Sequence, residues 1–221
     1  DKGQDAWDRP EHEVMLGFAG AGLKSDGKYS YLHNAVGGHL AKYFGEEKSD
    51  ELNERSLNML LRFHPDPSKV VTSDPIKEPE YIKPYFSLRM ASNKHVGTDY
   101  LHEIGKRWNK WLIDKGVNFL WETEVIDIDF DYNHVYMKGK NEQIPSSISF
   151  DKLIYCTGKS GIDLTQNLID EYDLEKEPKS VQIGVRFEAP QKYFQNILDI
   201  AYDFKLYQKP NDKISIRSFC T

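Results

Sequence analysis

The chain has 221 residues, with 29 Lys and Arg against 35 Asp and Glu for a formal net charge of −6. That length holds one sizeable core, or one core with a small second lobe, and the acidic balance gives no overall electrostatic footprint for nucleic acid or anionic lipid. A mean hydropathy of −0.65 without a long apolar run excludes a membrane-spanning helix, while 39% hydrophobic and 13% aromatic residues suit a folded protein.

The cysteines, Cys156 and Cys220, form no CxxC and cannot staple a small secreted scaffold, so a reducing, cytoplasmic setting is expected. The chain begins at Asp1 rather than Met. It closes on Arg217-Ser218-Phe219-Cys220-Thr221, an alternating stretch that reads as an interrupted strand. The expectation is a segment of a larger fold.

In chain order, a loop-rich region comes first: Phe18-Ala19-Gly20-Ala21-Gly22, then Ser25-Asp26-Gly27-Lys28, then Gly37-Gly38. Residues 39–44 read as a short helix that Gly45 ends. Leu52, Met59, Leu60 and Phe63 share one face of a helix over 49–63, with Ser49 or Asp50 as N-cap. Prolines 65, 67, 75, 79 and 84 then predict an extended surface connection.

From Thr98, the spacing of Leu101, Ile104, Trp108 and Leu112, widened by Trp111, predicts a helix closed by Gly116, with Thr98 or Asp99 as N-cap. Strands are predicted at 117–121 and 125–130, and a solvent-facing hairpin at 134–137 and 148–150. The apolar run 153–156 reads as a buried strand that delivers Thr157-Gly158-Lys159-Ser160-Gly161 as a loop. A helix over 164–168, a strand over 181–188, a helix over 193–201, and strands at 204–207 and 214–219 complete the chain.

The glycines between Gly20 and Gly27 let the backbone approach a phosphate or a flavin edge. A tight turn ending in Asp-Gly explains them as well. The stretch is not GxGxxG, and the 157–161 turn lacks the first glycine of a P-loop. His95-Val96-Gly97-Thr98-Asp99 either starts a helix or sets His95 near an anion or cofactor. No HExxH, Cys/His metal spacing or Gly-x-Ser-x-Gly elbow occurs, so no metal site is expected. Asp127 and Asp129 read as a solvated face, Cys156 as a buried inert thiol, and Arg186 as either an anion contact or a surface charge.

In order, these segments resemble a known family. Phe18 to Gly22 followed by Ser25 to Lys28 is similar to the FAGAG-x-x-SDGK loop of bacterial FAD-dependent dehydrogenases, and His95 to Asp99 to their H-x-G-T-D segment. Gly116 to Phe119, Thr123 to Ile128, Cys156 to Gly161, Ile183 to Glu188 and Arg217 to Cys220 continue the resemblance over nearly the whole chain.

The resemblance implies an α/β protein with the glutathione-reductase-like FAD/NAD(P)-binding fold, incomplete, with a second substrate lobe of mixed α+β. Residues 1–97 would carry the flavin-contact loop and a helical, Pro-rich connection, 98–161 the centre of the FAD-binding domain, and 162–221 a truncated substrate lobe. It further implies FAD as cofactor. The Val125 backbone would lie at the adenine end, Thr157 and Gly158 near the pyrophosphate or ribityl chain, and Gly20, Gly22, Ser25, Asp26 and Gly27 against the isoalloxazine ring. No catalytic residue is assigned; Lys28 and His95 are the candidates.

The family's strand–GxGxxG–helix is not in this sequence. A segment outside it or a second polypeptide would supply that half of the site, or the fold has lost FAD. The expected function is a flavoprotein oxidoreductase acting on a small organic substrate. The alternatives are a flavin-free binding or assembly module and a flavoenzyme modifying a nucleobase or amine on nucleic acid, the latter opposed by the acidic balance.

Overall fold

The computed structural model describes residues 17–33, 40–90, 92–140, 145–177, 183–199, 204–211 and 214–218. In chain order these form β1 (Lys28–Ser30), α1 (Leu40–Phe44), α2 (Glu46–Leu61), β2 (Val71–Ser73), β3 (Ser87–Arg89), β4 (Asn93–His95) and α3 (Leu101–Asp114). After these come β5 (Thr123–Asp129), β6 (His134–Gly139), β7 (Ser147–Ser149), α4 (Ile162–Glu171), α5 (Gln195–Leu198), β8 (Lys205–Asn211) and β9 (Ile214–Arg217). The strands make three antiparallel sheets of three strands each, ordered β1-β4-β2, β3-β8-β9 and β5-β6-β7. No helix among the described residues is long and apolar enough to cross a membrane.

The chain divides into two compact units, one of Asp1–Leu23 with Gly105–Gly184 and the other of Lys24–Ile104 with Val185–Thr221. Each therefore joins segments distant in sequence, and the division falls within α3.

In the second of these units, Gly45 (φ +80°) separates α1 from α2 and occupies the α2 N-cap. Glu46 and Glu47 complement the positive end of that helix. Ser49 and Asp50, expected as caps, lie one turn inside. Ser49 is buried, and Asp50 instead accepts the His33 N–H and meets the His33 ring nitrogen Nδ1 at 3.0 Å. These contacts, the backbone N–H foremost, hold the Asp50 carboxyl below its ordinary value of 3.8. Leu57 and Phe63 are buried, while Met59, expected on the same face, is exposed.

A 3-10 turn (Thr98–Tyr100) leads into α3 from Gly97, so neither Thr98 nor Asp99 caps it. Leu101 and Ile104 are the anchors of its apolar stripe, at 0% and 1% exposure. Gly116 (φ +84°) ends α3, with Val117 N–H returning to the Leu112 carbonyl.

In the other unit, α4 covers one face of the β5-β6-β7 sheet. Ile128, Val135, Met137 and Leu168 form the core there, flanked by Val125, Phe150, Leu153, Leu164 and Tyr172. Val125 and Ile128 both reach this core because a bulge between Val125 and Asp127 shifts the register. Strict alternation would have turned Ile128 outward. The extra residue, Ile126, is exposed. The hairpin expected as solvent-facing thus has one face in the core. Asp127 is exposed as expected, and Asp129 Oδ1 accepts from the Asp131 and Tyr132 amides and so fastens the β5–β6 turn.

Three predicted strands do not form. Residues 117–121 are irregular, because Phe119 and Trp121 stack with ring centroids 4.9 Å apart and Phe119 meets Phe18 edge-on. Residues 153–156 are irregular as well: Leu153 enters the core, Ile154 is 86% exposed and Cys156 is exposed rather than buried. Residues 183–188 have no strand partner among the described residues, and Ile183 and Val185 are each 95% exposed; positions 181 and 182 lie outside the described residues.

The helix expected over 193–201 is a 3-10 turn (Gln191–Tyr193) followed by the short α5. Gly37, Gly38, His39, residues 200–201, Phe219 and Cys220 lie outside the described residues.

Ile128→Ala should cost about 2–5 kcal/mol in urea unfolding. Ile154→Ala should stay within about 0.5 kcal/mol; a large loss there would mean that 153–156 is buried after all. The stabilisation from Asp50 belongs to its ionised form. It should be complete above the ordinary carboxyl value of 3.8 and fade as pH falls through the lower folded-state value. The stability difference between wild type and Asp50→Asn should therefore shrink on acidification, and a difference that grew would contradict the contact.

Candidate functional site

Within the unit of Lys24–Ile104 and Val185–Thr221, the two segments singled out as Ser25 to Lys28 and His95 to Asp99 lie against each other. β1 pairs antiparallel with β4, setting Lys28 opposite His95 and Ser30 opposite Asn93. Just before β1, the Gly27 carbonyl accepts the Val96 N–H at 2.9 Å. Gly27 and Gly97 both have positive φ, +74° and +79°. A Cβ on Gly27 would stand 3.2 Å from the Gly97 carbonyl carbon. Backbone meets backbone here, and only glycine satisfies both the conformation and the space.

Short polar turns set up this approach. Ser25 Oγ accepts the Gly27 N–H at 3.2 Å and Asp26 Oδ1 the Lys28 N–H at 3.2 Å. The Lys28 ammonium lies 3.4 Å from Asp26 Oδ2. Behind the crossing, Val96 is fully buried, and its carbonyl accepts from His64 Nε2 at 2.8 Å. His64 Nδ1 accepts the Asp66 N–H at 3.0 Å. That pair of contacts assigns His64 the neutral tautomer with its proton on Nε2. The His64 ring also packs on Tyr100, with centroids 4.7 Å apart.

His95 is buried in the central strand of its sheet, with Lys28 and Val71 on either side. Asn93, also buried, accepts the Ser30 hydroxyl. Burial pushes the Tyr29 phenol above its ordinary range. The Ser68 hydroxyl, donated to Asp66, holds that carboxyl below its ordinary range.

The other candidates sit in the unit of Asp1–Leu23 and Gly105–Gly184. Ala19 (φ +60°) and Gly20 (φ +52°) are both left-handed and open a 3-10 turn (Gly20–Lys24). For Ala19 that conformation is strained. The Phe18 ring anchors this loop edge-on against Trp108, centroids 5.0 Å apart. Leu23 closes on α3, where a Cβ on Gly105 would come within 2.9 Å of it.

Val125 lies on β5, an edge strand among the described residues, whose outer backbone groups are not used by β6. Gly158 has φ +59° at the head of a 3-10 turn (Gly158–Gly161). Thr157 folds back on this turn: a Cβ on Gly161 would fall 2.1 Å from Thr157 Oγ1.

The structure thus unites Ser25, Asp26, Gly27, Lys28 and His95 in one place. Val125, Thr157, Gly158, Gly20 and Gly22 belong to the other unit.

Whether the chain offers room for a flavin nucleotide can be tested on the glycines. Gly22 has no positive φ, and a Cβ there meets nothing within 4 Å. A Cβ on Gly158 likewise meets nothing within 4 Å. Among the described residues no neighbour crowds a Cβ at either position, and Gly158 answers to its left-handed φ of +59°.

Arg186 pairs with Glu188 on the exposed surface, the blander of its expected roles. Among the described residues, no three His, Cys, Asp or Glu side chains gather as metal ligands. His64 and Asn93 went unnoticed in the sequence. His64 acts on a carbonyl 32 positions away, and no local pattern announces such a contact.

Gly27→Ala should destabilise by about 1–3 kcal/mol, since the left-handed φ and the Gly97 backbone both resist it. Gly22→Ala should be neutral within about 0.5 kcal/mol. Thermal unfolding of the pair checks both, and equal losses would refute the crossing.

No protein-family model, no curated protein and no solved structure matches this chain.

Proposed function

We propose that this chain is the central part of a cytoplasmic FAD-dependent oxidoreductase of the dehydrogenase type, carrying two electrons between a small organic substrate and the flavin. The observation that supports this most is the crossing of Gly27 on Gly97. Two segments recognised separately by their resemblance to flavoprotein motifs prove to be one backbone junction, with glycine at both points of contact.

Bound FAD would supply the redox chemistry, while the protein supplies close backbone approach, orientation and charge. Gly20, Gly22 and Gly158 offer backbone that a planar or phosphate group can reach. Ser25 and Asp26 are used in holding Gly27 and Lys28 in register. Lys28 and His95, opposed across β1 and β4, place an ammonium and an imidazole at neighbouring positions. Val125, at a sheet edge, and Thr157, folded over its glycine turn, are the residues assigned to the nucleotide end. A GxGxxG segment from outside this sequence or from a second polypeptide completes the reading.

A second reading, a flavin-free binding or assembly module, draws on the exposed apolar side chains of Ile183, Val185 and Phe187. Flavin binding separates the two. The intact gene product mixed with FAD and desalted should keep an absorbance band near ~450 nm. Gly22→Val, placed in open space, should fold normally and weaken FAD binding by about tenfold or more. A colourless protein that gains no flavin band would sink the oxidoreductase reading.

A further inference from the structure

The β3-β8-β9 sheet carries a feature that the flavin reading leaves unused. Its registers set Ser87 opposite Tyr207, Arg89 opposite Lys205, and Tyr207 opposite Arg217. Directly opposed residues of an antiparallel pair share a face, and so do alternate residues of one strand. Arg89, Lys205, Tyr207 and Arg217 therefore converge on one side of the sheet.

The contacts agree. The Arg89 guanidinium stacks on the Tyr207 ring, its carbon 4.6 Å from the centroid, and Arg217 Nη1 donates to the Tyr207 hydroxyl at 3.5 Å. Reciprocal bonds at the end of β9 hold Arg217 opposite Tyr207. Leu206 N–H donates to Ser218 Oγ at 3.0 Å, and Ser218 N–H to the Leu206 carbonyl at 2.9 Å.

Within the described strands the formal charge is all of one sign, in a chain whose net charge is −6. None of the three strands contains an Asp or Glu. Among the described residues, neither Arg89 nor Lys205 has a carboxylate within ion-pair distance. The Glu78 carboxylate accepts the Leu88 N–H. Arg217, Lys205 and Arg89 together hold the Tyr207 phenol below its ordinary range, with the Arg217 contact contributing most.

We propose that this face is a binding site for a compact oxyanion, the carboxylate or phosphate group of a small metabolite. Stacking orients the Arg89 guanidinium, so its fork of N–H donors is fixed before a ligand arrives. Tyr207 accepts from Arg217 and keeps its own O–H to donate, and a hydroxyl that already accepts a bond is the better donor. Lys205 adds a mobile point charge beside the fork. The outcome is a set of donors aimed at one small anion, with charge-assisted bonds as the main attraction.

This inference rests on sheet geometry and does not require FAD. Anion binding and flavin binding are measured separately and can fail separately.

The test is calorimetric titration of the full chain with succinate, with inorganic phosphate and with chloride at matched ionic strength. Saturable binding of succinate or phosphate, absent with chloride, is the expected result, and the stronger of the two names the source of the oxyanion. Arg89→Gln combined with Lys205→Gln should weaken that binding by about tenfold or more. Tyr207→Phe, which keeps the ring under Arg89 and removes only the hydroxyl, should weaken it less. Lys110→Gln, which removes a positive charge elsewhere, should leave it unaltered. No saturable binding of either oxyanion, or an equal loss in Lys110→Gln, overturns the proposal. Should the double variant fail to fold, an undiminished affinity in Tyr207→Phe does the same.

Discussion

One residue, Val96, ties together the unit that contains the candidate site. Val96 donates its N–H to the Gly27 carbonyl, and its own carbonyl accepts a hydrogen bond from His64 Nε2, so both backbone polar groups of a fully buried residue are used. Burying either one unpaired would cost about 1–3 kcal/mol. The bond to Gly27 brings the 25–28 turns onto β4, and the bond to His64 ties the end of α2 to the same point. The following residue, Gly97, turns the chain into α3, whose Leu101 and Ile104 are the most deeply buried apolar anchors of that unit besides Val96 itself. Sheet, helix end and site loop thus share a single constraint.

Much of the remaining polar contact is of another kind. Lys48 with Glu51, Lys83 with Glu80, and Lys110 with Asp114 are exposed pairs within helices or turns. Pairs of this type contribute little net stability because water and side-chain entropy oppose them. The unit of Asp1–Leu23 and Gly105–Gly184 depends instead on a small apolar core under α4, reached through the bulge in β5. The Gly27–Gly97 junction and the cationic sheet face resemble neither: both use polar or backbone groups in fixed directions, which is what recognition requires.

The elements legible in the sequence are those whose own period settles their form. α3, α4 and the β5–β6–β7 hairpins were readable because their apolar residues recur at helical or alternate spacing and their ends carry Gly116 or turn residues. β1, β2, β3 and β4 were not, since Lys-Tyr-Ser, Val-Thr-Ser, Ser-Leu-Arg and Asn-Lys-His contain no alternation to read. The opposite failure occurred at 117–121, 153–156 and 183–188. Apolar runs there suggested strands, but a strand needs a partner, and the described residues give these segments none. Among the site residues, the glycines at 20, 22, 27 and 158 were visible as types. Which of them met backbone, as Gly27 does, and which faced open space, as Gly22 does, was not.

By itself the sequence determined the composition of the parts: an acidic chain without a membrane-spanning helix, two well-patterned helices, a hairpin region, and glycine-rich turns able to bring backbone close to another group. These properties are local, set by side-chain periodicity and backbone conformational freedom. Only the tertiary structure decided that Ser25 to Lys28 meets His95 to Gly97, that His64 serves Val96, and that Arg89, Lys205 and Arg217 gather about Tyr207. The pairings of Lys28 with His95, His64 with Val96 and Arg89 with Tyr207 join residues far apart in the chain. They follow from strand register and burial, which depend on the partner a segment finds rather than on the order of its own residues.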